Sequence, residues 1–532
     1  MSSAPGTHGD SLPGGYAATP DASSAQVGGE SPSATSVRGV TRVAGDLAAV
    51  ASGRAGLAVL SAVSVIFTTR ILGPQGYALV GLVGILSTLV WTASSSWTSI
   101  SVRRYGREDF ELRGRMNRLT WNRAIIVAPL TLVCVLLVVV LRAAGALPLG
   151  LSWPLVLIAI GFSFALIVVE HFTTVLETSG RMQLSAGSQL LSQTGYVGVL
   201  VVLYVSAVRV SASRVLLFSL AAYSALGLCL IALTWKTAIV PAELDRPLLR
   251  RMLRLSIPMI GFMVSQYVFS SVDIVILKMC RTQADVGVYA LAYQAYSVLS
   301  RVTQSGTIVL VPLFVSLDLA GRADLVVRYM QRSVAQGLFL IAALTAVVVS
   351  FLPLIVPLAF GRAFAAATTP MAILVAGLVF LFAQYLVAPV LTLNEQTRAM
   401  AVISALGTLL NLVGDVVLVA VLHMGILAPA IATSAALVFM FIGYYVFAAR
   451  ASNVKRQVPL LGAVPLAAAL APRLIWGGVA GTVIGFGAVI VTSVAIVRLG
   501  RPFGPEDAEM VAKLRLPEPV RRGALKALAV LD

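Results

Sequence analysis

Long apolar stretches, separated by short polar or basic segments, recur along almost the whole chain. A predominantly apolar run of about 18 residues or more is long enough to cross a bilayer core of ~30 Å as a helix. Run length predicts spans near 47–69, 77–98, 124–146, 154–175, 186–208 and 215–235. A polar, basic segment from Lys236 to Leu255 follows, and then six more spans near 256–277, 286–314, 335–358, 370–393, 400–422 and 426–448. Another long run covers 474–497, and a shorter one, 458–471, is interrupted by Pro459 and Pro465.

Polar residues inside these runs fall on helical faces. In the eighth span Gln294, Ser297, Arg301 and Gln304 recur at intervals of three and four, which places them on one side of a helix. The same rule groups Gln266, Ser270 and Asp273 in the seventh span, and Ser404, Thr408, Asn411 and Asp415 in the eleventh. It also groups Arg54, Ser61, Ser64 and Thr68 in the first, while the fourth carries Glu170, His171 and Thr174 near its end. A charge at a helix centre costs ~2.5–3.5 kcal/mol on insertion scales, so such faces point into a bundle or a wet cavity. Simpler readings stand beside this one. Serine and threonine also serve helix packing, Asp273 could pair with a basic residue as a structural lock, and Arg54 could snorkel to the interface. His171 suits a proton relay or plain packing equally. Arg70, Lys278 and Arg281 sit at span boundaries as interfacial anchors, and Pro258 either starts the seventh helix or lets it bend.

Composition narrows the class. The chain has 532 residues, 58% hydrophobic and 11% charged, against roughly half apolar and one quarter charged for a soluble domain. That excludes a soluble globular protein and predicts an all-α polytopic membrane protein. The net charge of +17 lies mostly in alternate loops, as membrane orientation requires, so no nucleic-acid partner is expected. With the N-terminus cytoplasmic, about 14 spans keep the basic tail after Val497 inside. This holds only if 458–471 crosses. Three cysteines imply no disulfide framework. With three histidines (His8, His171 and His423) and no nucleotide-binding or triad pattern, neither a metal, a cofactor nor an enzyme is expected.

The expected organisation is a disordered cytoplasmic tail (1–42) and a six-helix lobe (43–238). A cytoplasmic linker acting as hinge (239–255) leads to a second six-helix lobe (256–450), two additional helices (451–498) and a basic cytoplasmic tail (499–532). The first segment is rich in Ser, Gly, Ala, Pro and Thr and lacks the apolar stretch of a signal peptide. Two anchors recur in the halves: "RILGPQGYAL" and "RTQADVGVYAL" precede the second and eighth spans, and "VLETSGRM" and "VLTLNEQTRAM" end the fourth and tenth. A duplication of six spans relates the halves by an axis along the membrane normal, with a substrate site between them.

The segments "RILGPQGYALVGLVGIL", "VDIVILKMCRTQADVGVYALAYQ", "VPLFVSL" and "NLVGDVVLVAVLHMGILAPAIATSAAL" resemble the polysaccharide-exporter branch of the multidrug/oligosaccharidyl-lipid/polysaccharide superfamily. Those are the Wzx-type oligosaccharide flippases, and the tail "LGRPFGPEDAEMVAKL" looks like their cytoplasmic end. The resemblance covers roughly 41–515. Departures are Asp415, often apolar or asparagine in the family, and the proline-broken thirteenth span. The resemblance implies two six-helix lobes in a MATE-like V around a central cavity, plus two C-terminal helices. It implies alternating-access flipping of undecaprenyl-diphosphate-linked oligosaccharides for cell-surface polysaccharide biosynthesis. The place would be a bacterial cytoplasmic membrane, with both termini cytoplasmic.

In related lipid II flippases, arginines on the first and eighth helices engage the diphosphate. Arg54 and Arg301 occupy those helices, and a guanidinium suits bidentate phosphate contact. Gln294, Gln304, Gln266 and Asn411 would meet the glycan, while Asp273, Asp415, Glu170 and His171 are candidates for coupling to H⁺ or Na⁺. Further partners would be membrane lipids and polysaccharide polymerase or glycosyltransferase machinery. The competing readings are a MATE-like cation or drug antiporter, a lipid II-type flippase and, less favoured, a membrane enzyme.

Overall fold

The computed structural model describes residues 32–207, 210–304, 323–452, 464–475, 478–500 and 522. The chain divides into two compact units, 1–49 and 50–532, and the account below concerns the second. Helix α1 (Pro32–Ser94) begins inside the segment expected to be disordered. It breaks at Gly73, whose φ of 62° is a left-handed conformation that glycine adopts without steric cost. Pro74 follows, with its φ already set for a new helical stretch. The apolar part, Gly56–Ser94, has 39 residues, nearly twice the ~20 that one crossing needs. The break therefore separates the first two predicted spans.

A 3-10 turn (Ser96–Thr98) leads into α2 (Ser99–Arg113), a polar helix where the sequence had suggested only a loop. It stops at Gly114, again at positive φ (67°). Then come α3 (Asn117–Ala143), α4 (Trp153–Thr178), α5 (Met182–Val205) and α6 (Ala212–Thr234), the last extended by a π-helical turn. The linker helix α7 (Arg246–Ser256) follows, and the second block opens with α8 (Met259–Cys280) and α9 (Gln283–Gln304). A short helix, Ala323–Arg328, precedes α10 (Val334–Phe360), which is followed by a 3-10 turn (Arg362–Ala367). The remaining helices are α11 (Thr368–Leu393), α12 (Thr397–Asp415), α13 (Leu427–Ala451), α14 (Val464–Ile475) and α15 (Gly478–Gly500).

Among the described residues there is no strand, and ten helices are long and apolar enough to span a membrane. The predicted eighth and thirteenth spans fall partly outside the described residues, so these ten do not by themselves make fourteen. Large apolar side chains such as Leu191, Val205 and Leu358 point outward, as lipid rather than water permits. The protein is a multi-pass helical membrane protein. In the first block α6 packs against α4 and α5, and in the second α11 packs against α9, α10 and α13, with α12 between α8 and α13. One core runs through both blocks, from Ala78, Leu82 and Leu86 of α1 to Tyr289 and Leu291 of α9.

A second core lies where α2, α3, α4 and α6 meet α7, around Val102, Met116, Leu119, Leu176, Leu230 and Met252. It changes the reading of the linker. Met116 N donates to Thr237 O (2.7 Å), Asn117 Nδ2 to Pro241 O (2.7 Å) and Trp121 Nε1 to Ile239 O (2.8 Å). Asn122 and the Asp245 backbone exchange two bonds, 2.9 and 3.2 Å, while Arg118 pairs with Glu243 at 2.8 Å. The hydrogen bond from Arg118 holds the Glu243 carboxyl below the usual carboxylate range. Asp245 caps α7 by accepting from Leu248 N. The segment expected to act as hinge is hydrogen-bonded along most of its length to the first block.

Candidate functional site

Two buried polar clusters stand out, one in each block. In the second, Asp273 on α8 is fully buried and accepts three hydrogen bonds. Tyr289 Oη donates to Oδ2 at 2.5 Å, Thr433 Oγ1 to Oδ2 at 2.8 Å, and Asn411 Nδ2 to Oδ1 at 3.1 Å. Four helices thus converge on one carboxylate: α8, α9, α12 and α13. Among the described residues no basic side chain pairs with Asp273. Asp415, one turn beyond Asn411 on α12, is equally buried and interacts electrostatically with Asp273. Its two carboxylate oxygens and Asn411 Oδ1 have no hydrogen-bond partner among the described residues. Neither aspartate belongs to a described ion pair; those use Glu108, Asp109, Glu111, Glu170, Glu243 and Asp245.

Two like charges buried side by side in a low-dielectric interior repel and lose their hydration. Among the described residues no cation stands against them. The donors that face inward are all oxygens, the type preferred by hard cations.

In the first block Arg123 on α3 is only 3% exposed. Its guanidinium meets Glu170 Oε2 at 2.7 Å and His171 Nδ1 at 2.8 Å. It also donates to Thr98 Oγ1 at 2.8 Å and Ser95 Oγ at 3.0 Å. Because arginine only donates, His171 Nδ1 accepts, which leaves Nε2–H to donate to Thr120 Oγ1 at 3.1 Å. Glu170 receives a further bond from Ser99. The cluster also anchors the Ser95–Ser99 elbow, and the 3-10 turn inside that elbow packs against α7 and α8.

The four expected ion-coupling residues therefore separate into two pairs. Asp273 and Asp415 come together, and Glu170 and His171 come together around Arg123. Of the expected substrate contacts, Asn411 joins the aspartates and Gln294 is half-buried on α9. Gln266 is exposed, and its neighbour Ser265 is the residue that reaches Thr408 (3.1 Å). The side chains of Arg54, Arg301 and Gln304 lie outside the described residues.

Three partners were missed: Arg123, Tyr289 and Thr433. Arg123 stands beside a strongly basic loop and looked like an orientation signal, although Thr120 three residues earlier marks the same helix face. Tyr289 was visible as part of the repeated Tyr-Ala-Leu but not as an aspartate partner. Thr433 sits alone in an apolar helix, and nothing in spacing distinguishes it from a packing threonine.

This arrangement, a helical multi-pass bundle built from two blocks, is the fold of MATE transporters and of the lipid II flippase MurJ. The chain belongs to the polysaccharide biosynthesis protein family, whose profile matches residues 48–318, about half of the sequence. Among solved structures it is similar to the lipid II flippase MurJ in an inward closed conformation, with a TM-score of 0.63 at 13% identity. That match covers 84% of this chain and 98% of the other. An inward-facing multidrug resistance MATE family transporter of the MOP superfamily gives a TM-score of 0.53 at 15% identity, over 75% of this chain and 94% of its own. The eukaryotic MATE transporter AtDTX14 gives 0.51 at 12%, over 78% and 99%. No curated protein matches the sequence.

Proposed function

We propose that this protein is a flippase that carries undecaprenyl-diphosphate-linked oligosaccharides across a bacterial cytoplasmic membrane by alternating access, for cell-surface polysaccharide. Membership of the polysaccharide biosynthesis family, in a chain with the MurJ and MATE fold, carries this reading. Both termini are cytoplasmic in it. The two six-helix lobes, with boundaries near 43–238 and 256–450, rock about a cavity that opens sideways so the lipid tail stays in the bilayer. Arg301 and Arg54 take the diphosphate, and Gln294, Gln304 and Gln266 take the glycan. Nothing covalent happens to the substrate.

Asp273 and Asp415, with Asn411 and Thr433, bind the coupling ion, Na⁺ or H⁺, in the same proposal. Both aspartates have 0% exposure, which suits a proton or a monovalent ion and leaves no room for an organic cation. That favours a driven flippase over a drug antiporter, whose cationic cargo would need acids open to the cavity. Polysaccharide polymerase and glycosyltransferase machinery would supply and consume the cargo.

The test is transport in proteoliposomes of three substrates: a lipid-linked oligosaccharide, lipid II and a cationic dye. Movement of the first, lost in Arg301→Ala at normal expression, is expected. Movement of lipid II alone would move the assignment to a lipid II-type flippase, and movement of the dye alone would return it to the antiporters.

A further inference from the structure

The two copies of the Gly-Tyr-Ala-Leu-type motif pack against each other. Past the Gly73 break, the Pro74 carbonyl faces α9 so closely that a Cβ on Gly287 would lie 1.8 Å from its oxygen. No side chain fits at 287 while the backbones stay together. Around this point Gln283 Nε2 donates to Gln75 O at 2.9 Å, a Cβ on Gly81 would touch Ala290 at 3.3 Å, and Tyr77 meets Phe364 edge-on at 6.0 Å. Every one of these pairs joins the first block to the second.

Arg70 fastens the same seam. Its Nε donates to Ala359 O at 2.8 Å, its Nη2 to Leu358 O, and its Nη1 to Tyr204 Oη at 3.2 Å. The accepting carbonyls end α10, where helix C=O groups lack intrahelical partners and the dipole favours a cation. The counterpart arginine in the other repeat behaves differently. Arg281 donates to His423 O, within its own block. One arginine of the repeat ties the blocks together and the other does not.

We infer that this seam, residues 70–81 against 283–290 and 358–364, is the outer gate of the transport cycle, closed in this structure. Gly287 is the fit that lets it shut, and Arg70 is the positioning residue that keeps it shut. The inference rests on the transporter reading and its predicted orientation. With no side chain between Pro74 and Gly287 to compress, the gate cannot loosen gradually. It opens by parting two backbones, and Arg70 must leave α10 when it does.

The experiment uses the full-length protein in proteoliposomes, with Cys134, Cys229 and Cys280 replaced by serine and cysteines introduced as Gln75→Cys and Gln283→Cys. A short bis-maleimide crosslinker across the seam is expected to stop transport, and a bis-thiosulfonate of similar length, whose disulfide links are cleaved by reduction, to stop it reversibly. In the cysteine-free protein carrying Val286→Cys instead, a seam position buried in this structure, labelling by a membrane-impermeant thiol reagent is expected to rise roughly tenfold in Arg70→Gln, the scale of one or two charge-assisted hydrogen bonds, and to stay unchanged in Arg281→Gln. Gly287→Leu is expected to hold the site labelled continuously and to lose transport. Undiminished transport by the crosslinked protein would overturn the gate, and unchanged labelling in Arg70→Gln would overturn the latch. If no lipid-linked substrate moves at all, the labelling arms still read the seam, so failure of the transporter reading is told apart from failure of the gate.

Discussion

Glu170 in the first block and Asp415 in the second are both carboxylates within apolar helices, yet among the described residues only Glu170 has a cation against it. Around Arg123 every polar group finds its complement: the guanidinium, Glu170, His171, and the hydroxyls of Ser95, Thr98 and Thr120. Around Asp273 the described neighbours are neutral donors, and Asp415 adds a second acid whose oxygens have no donor among the described residues. The first cluster is complete with what the chain supplies and therefore acts to hold an elbow in place. The second lacks a countercharge among the described residues. Under the proposed function, that difference separates framework from coupling.

The largest expected effect comes from the incomplete cluster. Asp415→Asn should cut gradient-driven transport roughly 100-fold, within the usual range of coupling between sites, while expression and thermal stability hold. Wild-type transport by this variant would break the comparison. Next, Arg123→Met strands Glu170, and removing one partner of a buried pair typically costs about 3–5 kcal/mol. Because Glu170 is 20% exposed, about 2–3 kcal/mol is expected in detergent unfolding. Arg123→Met with Glu170→Gln should recover most of it.

A ligand that binds only the folded state adds ~2.7 kcal/mol at 100 times its Kd. Sodium should therefore raise the Tm of the wild type and leave Asp415→Asn unmoved; if sodium fails and acid does the same, the ion is a proton. The smallest effect belongs to the half-exposed Arg251–Glu108 pair (2.8 Å): Arg251→Ala should cost no more than ~1 kcal/mol. The Glu243 contact beside it has a definite sign with pH. A carboxyl held low in the folded state contributes fully above the unfolded pKa, so its contribution should vanish as pH falls through the folded value. Native-state amide exchange at Asp245 and Leu248 would report it.

Much of this could be read along the chain. Apolar run length gave the helical class, and polar spacing of three and four brought out Asp273, Asn411 and Asp415, because their shared faces are a property of single helices. Pairing across helices is not. Thr433 is distant in sequence from Asp273 and carries no periodic signal. Arg123 was hidden by its position where α3 leaves a basic loop, since a burial signal there is swamped by an orientation signal. Gln266 satisfied the spacing rule and is exposed, because the rule fixes a face and not what lies opposite. Gly287 was recognisable as part of a repeat, but its reason, the Pro74 carbonyl, exists only once the two copies meet.

The fastened linker has a mechanical consequence. Met252 is fully buried among α2, α3 and α4, and hydrogen bonds secure the chain from Thr237 to Asp245. A strand so held moves with the body it is held to. The compliance between the two halves is thereby concentrated in the turn at Ile257–Pro258, between α7 and α8. Leverage from the first half is delivered directly to the foot of α8, the helix that carries Asp273 about four turns further on. Under the proposed function, an ion bound at Asp273 and a rotation of the halves would act at two points along one rigid rod.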